Sequence, residues 1–297
     1  MDRRAQPLSR RVQLTVTIAV LVLLVVATIW GWHKANLSFD ELNWVAIAVS
    51  FCVAAPLTLI LKAFEYDAAA RLIGERAAPR RALDIAVISS AANLLPIPGS
   101  LLVTTRALSE QGATYAEAAV ASTVPSLSWL TISVLIGGVS IAIAGNAYLG
   151  ASIALAGVVL TGVTFVMFRR TAPVQGRLPL ALRIIVIETC WVLLGGLRMW
   201  LALKAIGSTG TPAQVLALAL AGAMSVAIGF LPSGIGAREA FIALLSPIIK
   251  LPVSRGVVLG VLDRLIWVTF LALVAVALVI DRARKRTPKA TAVEATS

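Results

Sequence analysis

The chain has 297 residues, of which 59% are apolar and only 13% are charged. Because a soluble domain carries roughly a quarter charged residues, this composition excludes a soluble enzyme and predicts a protein whose solvent is lipid. The net charge of +12 does not indicate a nucleic-acid partner. Most basic residues lie in short loops and tails beside apolar stretches, where they favour the cytoplasmic face of a membrane and anionic headgroups.

Six apolar stretches are long enough to cross a bilayer, which requires about 20 residues per helix. They are 12–30, 42–62, 113–144, 147–168, 181–203 and 256–280. The first stretch is too long for a signal-peptide core and ends in Trp30 and Trp32, so we expect it to be a retained helix. The predicted fold class is all-α, a polytopic bundle of transmembrane helices.

Two further apolar regions, 84–110 and 213–250, are interrupted by proline and glycine. Proline removes a hydrogen-bond donor and glycine frees the backbone, so a helix should end at each interruption. We therefore predict six full spans plus two re-entrant broken-helix hairpins. Eight spans with proline kinks is the alternative. The interrupting residues are Pro96 and Gly99 in the first region and Pro232, Gly234 and Gly236 in the second.

The loops rich in Lys and Arg predict that both termini lie in the cytoplasm, at the plasma (inner) membrane. The first hairpin would then enter from the cytoplasm and the second from outside. A shift of 136 residues moves Pro96 onto Pro232 and places the elements of 12–144 on those of 147–280. Three crossings per half is an odd number, so the second half should be inverted. Chance matching of apolar runs is the other explanation.

These elements predict one integral membrane domain, residues 1–282, followed by a disordered basic tail at 283–297 in the cytoplasm. Helices that restart after the two tips would aim their free amides and positive dipole ends at one midplane chamber, which would attract an anion. Arg238 and Glu239 fall in the first turn of the second restarted helix. Arginine is suited to bidentate contact with phosphate, and Arg106 is the corresponding cation of the first hairpin.

Charged residues inside the predicted spans are further candidates, because such charges are costly in lipid and usually face the bundle interior or a water path. Glu188 lies in the fifth span, and Asp263 and Arg264 lie in the last. For the last two, ion pairing and ligand contact both remain open. Arg198 is expected to snorkel toward the outer surface. A solvated extension of the second span is expected to carry Lys62, Glu65 and Asp67.

The sequence contains no constellation typical of catalysis or metal binding. Cys52 and Cys190 lie within apolar runs and are predicted to be buried, and His33 is the sole histidine. We therefore predict no catalytic residues, no metal and no cofactor. The tryptophans are interpreted mainly as interfacial anchors. The glycine doublets Gly137-Gly138 and Gly195-Gly196 are interpreted as sites of close helix packing.

The stretch from Phe230 to Glu239 carries the pattern Pro-x-Gly-x-Gly-x-x-Glu. It resembles a signature of the flippase-like membrane proteins, a family that includes the transmembrane region of lysylphosphatidylglycerol synthases. Asn93 to Arg106 resembles the earlier motif of that family, although Gly99 is followed by Ser100 where the family often carries an acidic residue and Arg. Asp263-Arg264 is similar to a polar pair in its last helix. The substrate-binding residues that the resemblance implies are Asn93, Pro96, Gly99, Arg106, Pro232, Gly234, Gly236, Arg238 and Glu239.

The resemblance implies transfer of a lipid, or of a lipid-linked polar headgroup, between leaflets. We expect an anionic headgroup between the hairpin tips and rocking of one half against the other. Since no nucleotide-binding loop is visible, Glu188 or Glu239 would carry a coupling proton. No aminoacyl-transferase domain is visible after residue 282. The alternatives are a secondary transporter of a small organic anion and an accessory protein that binds an enzyme of lipid or cell-envelope biosynthesis.

Overall fold

The computed structural model describes residues 26, 29–30, 32–34, 38–93, 99–173, 176–228 and 237–286. Within these residues every regular element is helical. Most of the predicted first span, both predicted hairpin tips (94–98 and 229–236) and residues 287–297 lie outside the described residues. Arg286 ends the last described helix, so helix continues past residue 282, where the membrane domain was predicted to end.

Five described helices are long and apolar enough to cross a membrane, which makes the chain a multi-pass membrane protein. They contain the predicted spans 42–62, 113–144, 147–168, 181–203 and 256–280 almost entirely. They are α1 (Trp44–Leu72), α4 (Tyr115–Ala144), α5 (Ala147–Thr171), α6 (Arg177–Ala205) and α9 (Val253–Arg286).

The long helices begin at side-chain caps and satisfy their own polar groups. Asn43 caps α1 and Asn146 caps α5, while Thr114 and Glu117 form a capping box at the start of α4. Within α4, the hydroxyls of Ser128 and other serines and threonines donate to the carbonyl four residues earlier. These local bonds allow a hydroxyl-rich helix to lie in lipid without unpaired donors.

Each interrupted region forms two short helices that pack against each other. The first pair is α2 (Pro79–Ala92) and α3 (Gly99–Ser109), and the second is α7 (Pro212–Ile228) and α8 (Ala237–Ile248). Arg81 near the start of α2 donates to the carbonyl of Ala107 near the end of α3, over 3.4 Å. Gln214 of α7 donates to the carbonyl of Ile249, just after α8, over 2.7 Å. Each pair therefore runs antiparallel, with its open end away from the interruption.

The open ends of the two pairs lie at opposite ends of the bundle. Gln111, just after α3, donates to the hydroxyl of Tyr66, which is the neighbour of Asp67 on α1. We call this the Asp67 end. The α7 helix starts seven residues after α6 finishes at Ala205, and α6 begins at the Asp67 end. The open end of the second pair is therefore at the other end of α6.

Helices α1 and α6 are joined at both of their ends. At the Asp67 end, the carboxylate of Asp67 accepts hydrogen bonds from Arg183 of α6 over 2.6 Å and from Arg71 over 2.8 Å. At the opposite end, the backbone amide of Asn43 donates to the carbonyl of Ala205 over 2.9 Å. These contacts correct the expectation that Asp67 belongs to a solvated extension, because it is buried and ion-paired.

Close packing by glycine is confirmed between α4 and α5, where a Cβ on Gly138 would lie 2.5 Å from the backbone nitrogen of Ala154. A Cβ on Gly196 would lie 2.8 Å from Leu216 Cδ2 of α7. The prediction that the cysteines are buried is wrong, since Cys52 and Cys190 are both exposed on the bundle surface. An apolar run in lipid does not reveal which of its faces points inward.

Candidate functional site

A buried group of charged side chains lies where α6, α8 and α9 meet. Asp263 of α9 is fully buried. Arg198 of α6 binds it with two hydrogen bonds, Nε to Oδ1 over 2.8 Å and Nη2 to Oδ2 over 3.0 Å. Arg238, in the first turn of α8, places its Nη2 atom 2.7 Å from Oδ2 of the same carboxylate. One carboxylate therefore ties together three helices.

Two more charged residues complete this group, which we call the arginine cluster: Arg198, Arg238, Glu239, Asp263 and Arg264. Arg264 of α9 donates to the carboxylate of Glu239 over 3.1 Å. The guanidinium of Arg198 also lies over the ring of Trp267, 5.3 Å from its centroid, a cation–π contact. Arg198 is buried, so the expectation that it snorkels outward is wrong. Its partner was invisible to sequence reasoning because it lies 65 residues further along the chain.

The arginine cluster carries an excess of positive charge. Its three arginines face two carboxylates, which leaves a net charge of +1. Arg238 is the member with the greatest side-chain exposure, 22%, and it sits in the first turn of α8 beside free backbone amides. A buried positive excess at a helix N-terminus is an environment that favours an anion.

A second polar region lies inside the first half of the bundle, among α1, α2, α3 and α4. It surrounds a small cavity of about 10 Å³, on the order of one water molecule. Lys62 and Glu65 of α1 form an ion pair beside it, with the ammonium 2.8 Å from each carboxylate oxygen. We call the region the hydroxyl pocket; its remaining polar lining includes Ser89, Ser100, Thr104, Ser122 and Ser126. Lys62 and Glu65 were expected to be solvated, and this expectation is wrong because α1 continues for ten residues beyond Lys62.

Glu188 of α6 is separate from the arginine cluster. Its side chain is 1% exposed, and neither carboxylate oxygen has a hydrogen-bond donor among the described residues. The charged groups that act on it are Glu65 and Lys62, across the interface of α1 with α6. Trp191 lies one turn further along α6, and its indole N–H likewise finds no acceptor in the described part of the chain. With Glu188 ionised, Lys62, Glu65 and Glu188 sum to a charge of −1.

The structure thus brings together only some of the residues that the sequence singled out. Arg238, Glu239, Asp263 and Arg264 meet in the arginine cluster, while Glu188 lies beside the hydroxyl pocket. Arg106 does not mirror Arg238: its side chain is 81% exposed and pairs with Glu110 near the end of α3. Pro96, Pro232, Gly234 and Gly236 lie outside the described residues.

Two residues at the first interruption have local structural roles. Asn93 ends α2 as its C-cap, and its side chain is exposed. Gly99 starts α3 so close to the preceding helix that a Cβ there would collide with the backbone carbonyl of Ala92. Only glycine allows the two arms to approach in this way.

Sequence reasoning missed the connection between Lys62 and Arg198. The two positions differ by 136 residues, the same offset that relates Pro96 to Pro232. Each is a largely buried cation on the long helix that precedes a hairpin of its half. Comparing charged residues at this offset would have identified both, and would have indicated that neither is simply a surface charge.

No protein-family model matches the chain, and no curated protein is similar enough to count as a match.

Proposed function

We propose that this protein is a transporter that moves a lipid, or a lipid-linked polar headgroup, between the leaflets of the plasma (inner) membrane. The headgroup is anionic and binds beside Arg238, between the two interrupted regions. The observation that carries the proposal is the pair of antiparallel hairpins that open toward opposite ends of the bundle, with an excess of positive charge at the start of α8.

The lengths of the hairpin arms support a re-entrant arrangement. At 1.5 Å per residue, the arms of 11 to 17 residues extend about 16–26 Å, less than the roughly 30 Å of a bilayer core. An arm of this length that turns back ends its helix inside the membrane. Interrupted helices whose ends meet at membrane depth are the usual binding sites of transporters built from inverted repeats.

The correspondence between the two halves gives further support. Shifted by 136 residues, Pro79–Ala92 becomes 215–228 and overlaps Pro212–Ile228, while Tyr115–Ala144 becomes 251–280 and falls within or beside α9. The packing follows the same rule, because each hairpin contacts the long last helix of the other half: α7 contacts α4, and α2 contacts α9. An internal duplication with inverted topology, cytoplasmic termini and six full spans accounts for both observations.

The charge of the arginine cluster favours an anionic headgroup. Arg238 already touches Asp263, but Arg198 alone neutralises that carboxylate with two hydrogen bonds. The guanidinium of Arg238 can therefore turn toward a phosphate without leaving Asp263 unpaired. Arginine presents several donors in a plane and binds phosphate oxygens in pairs.

The first test is leaflet exchange of fluorescently labelled phosphatidylglycerol in vesicles that contain the purified chain. Arg238→Ala is expected to slow exchange by at least about tenfold, a rate loss worth about 1.4 kcal/mol. The variant should fold normally, because Asp263 keeps its contacts with Arg198. Arg238→Lys retains the charge without the bidentate geometry and should give an intermediate rate. Exchange by Arg238→Ala at the wild-type rate would contradict the proposed site.

The same vesicles separate the lipid from a free anion. Glycerol phosphate, the headgroup without acyl chains, should inhibit weakly and should not accumulate inside vesicles. Its accumulation, with no exchange of the labelled lipid, would instead identify a secondary transporter of a small organic anion. Absence of both activities in the wild-type protein would overturn the transport proposal and favour an accessory role.

A further inference from the structure

Glu188 is the buried acidic group that the proposed headgroup site leaves unexplained. It lies on α6, ten residues before Arg198, which places it about 15 Å along the helix from the arginine cluster. A structural carboxylate at this depth would have a cation or hydrogen-bond donors in contact, as Asp263 does. Glu188 has neither within the described residues.

The nearest charged groups are already paired with each other. Lys62 directs its ammonium at both oxygens of Glu65 on its own helix. The described parts of α4, α7 and α9, which also pack against α6, contribute no charged group that acts on Glu188. A proton on Glu188 makes the total charge of Glu188, Lys62 and Glu65 zero, whereas its loss leaves one uncompensated negative charge in a buried place.

We infer that Glu188 is the proton-carrying group that couples transport to a proton gradient, and that the Lys62–Glu65 pair senses whether the proton is present. This inference rests on the proposed transport function and assigns its energy source. The alternative carrier, Glu239, is excluded from this role because its carboxylate is held by Arg264 in the arginine cluster.

The step transfers one proton between the Glu188 carboxyl and water. In the protonated form the carboxyl is neutral, and Lys62 stays on Glu65 as the structure has it. When the O–H bond breaks and the proton leaves to water, the new carboxylate attracts the Lys62 ammonium, which has three donors, and the indole N–H of Trp191. Glu65 then loses part of its cation and accepts hydrogen bonds from the hydroxyls of the pocket instead.

Those hydroxyls connect the proton to the first hairpin. Ser89 belongs to α2, and Ser100 and Thr104 belong to α3, so a Glu65 carboxylate that needs new donors pulls on both arms. Glu188 itself belongs to the second half. The protonation state of one half is therefore read by the hairpin of the other half, which is the link that gradient-driven transport requires.

Infrared difference spectroscopy of the purified chain tests the proton directly, without any transport assay. As pH is changed, the wild type is expected to show a carboxylic-acid C=O band that appears and disappears. Glu188→Gln should lack the band, while Glu75→Gln, a change at an exposed carboxyl, should keep it. Glu188→Asp should retain a titrating band at a shifted frequency, and it covers the case in which the glutamine variant fails to fold. A titrating band unchanged in Glu188→Gln would overturn the inference.

Exchange of labelled phosphatidylglycerol under an imposed gradient completes the test. A proton gradient is expected to speed exchange severalfold in the wild type and in Glu75→Gln, and to have no effect on Glu188→Gln, which should exchange at the ungradiented rate. Stimulation by a sodium gradient in place of a proton gradient would overturn the inference but leave the transport proposal standing. Absence of wild-type exchange under every condition would overturn both.

Discussion

The two halves place a cation at the same position and use it differently. Arg198 of the second half reaches across to α9 and shares Asp263 with Arg238, so three helices are joined around one carboxylate. Lys62 of the first half pairs with Glu65 one turn away on its own helix. It joins no helices and borders a cavity lined by hydroxyls. The comparison teaches that one polar interior holds the helices together, while the other can exchange its partners.

The largest expected effect comes from removing the shared carboxylate. Asp263→Asn leaves Arg198 and Arg238 buried without a negative partner, which should lower the free energy of unfolding by about 3–5 kcal/mol. Thermal and denaturant unfolding in detergent micelles measures it. The control is Asp281→Asn, which removes the half-exposed partner of Arg80 and should change stability by no more than about 1 kcal/mol. Equal losses in the two variants would break the contrast between a joined interior and a surface pair.

A smaller effect is expected from the equivalent change in the first half. Lys62→Met leaves Glu65 without its cation, but the side chain of Glu65 is 12% exposed and borders the cavity, where hydroxyls and water can serve it. The loss of unfolding free energy should be about 1–2 kcal/mol. The same unfolding measurement applies, with Lys204→Met, a partly exposed lysine over Trp200, as the control. A loss as large as that of Asp263→Asn would mean that both interiors are equally fixed.

The smallest effect is expected at Arg106. Because its side chain is exposed and contacts Glu110 one turn away, Arg106→Ala should change stability by less than about 0.5 kcal/mol and leave lipid exchange unaltered. Arg238→Ala in the same vesicles is the matched comparison from the second hairpin. A loss of exchange in Arg106→Ala as severe as in Arg238→Ala would restore the symmetrical pair of binding arginines that the sequence suggested.

The sequence was sufficient to predict most of the helical architecture. Apolar runs of spanning length predicted the five long helices, and the proline–glycine interruptions predicted two helix pairs broken near residues 96 and 232. Both signals are local, because helix formation and helix breaking depend on a few neighbouring residues and on the thickness of the bilayer. Arg238 and Glu239 were placed in the first turn of their helix for the same reason.

The polar interior could not be predicted, because it depends on contacts between distant segments. Nothing near Arg198 indicates that Asp263 will meet it from α9, so depth in the membrane alone suggested an outward-facing side chain. Lys62 and Glu65 were placed in solvent because the apolar run ends there, although the helix and the packing of α2 and α3 continue around them. The rotation of a helix about its own axis decides such cases, and the near-uniform apolar composition of a spanning helix does not encode that rotation.

The two contacts between α1 and α6 restrict how any transport movement can occur. Asp67 with Arg183 fastens one end of this helix pair, and the amide of Asn43 with the carbonyl of Ala205 fastens the other. Since α1 belongs to the first half and α6 to the second, tilting the halves as rigid bodies would tear one fastening open in each direction. The pair behaves as a fixed rail, and the displacement that carries cargo falls instead to the short arms that slide beside it.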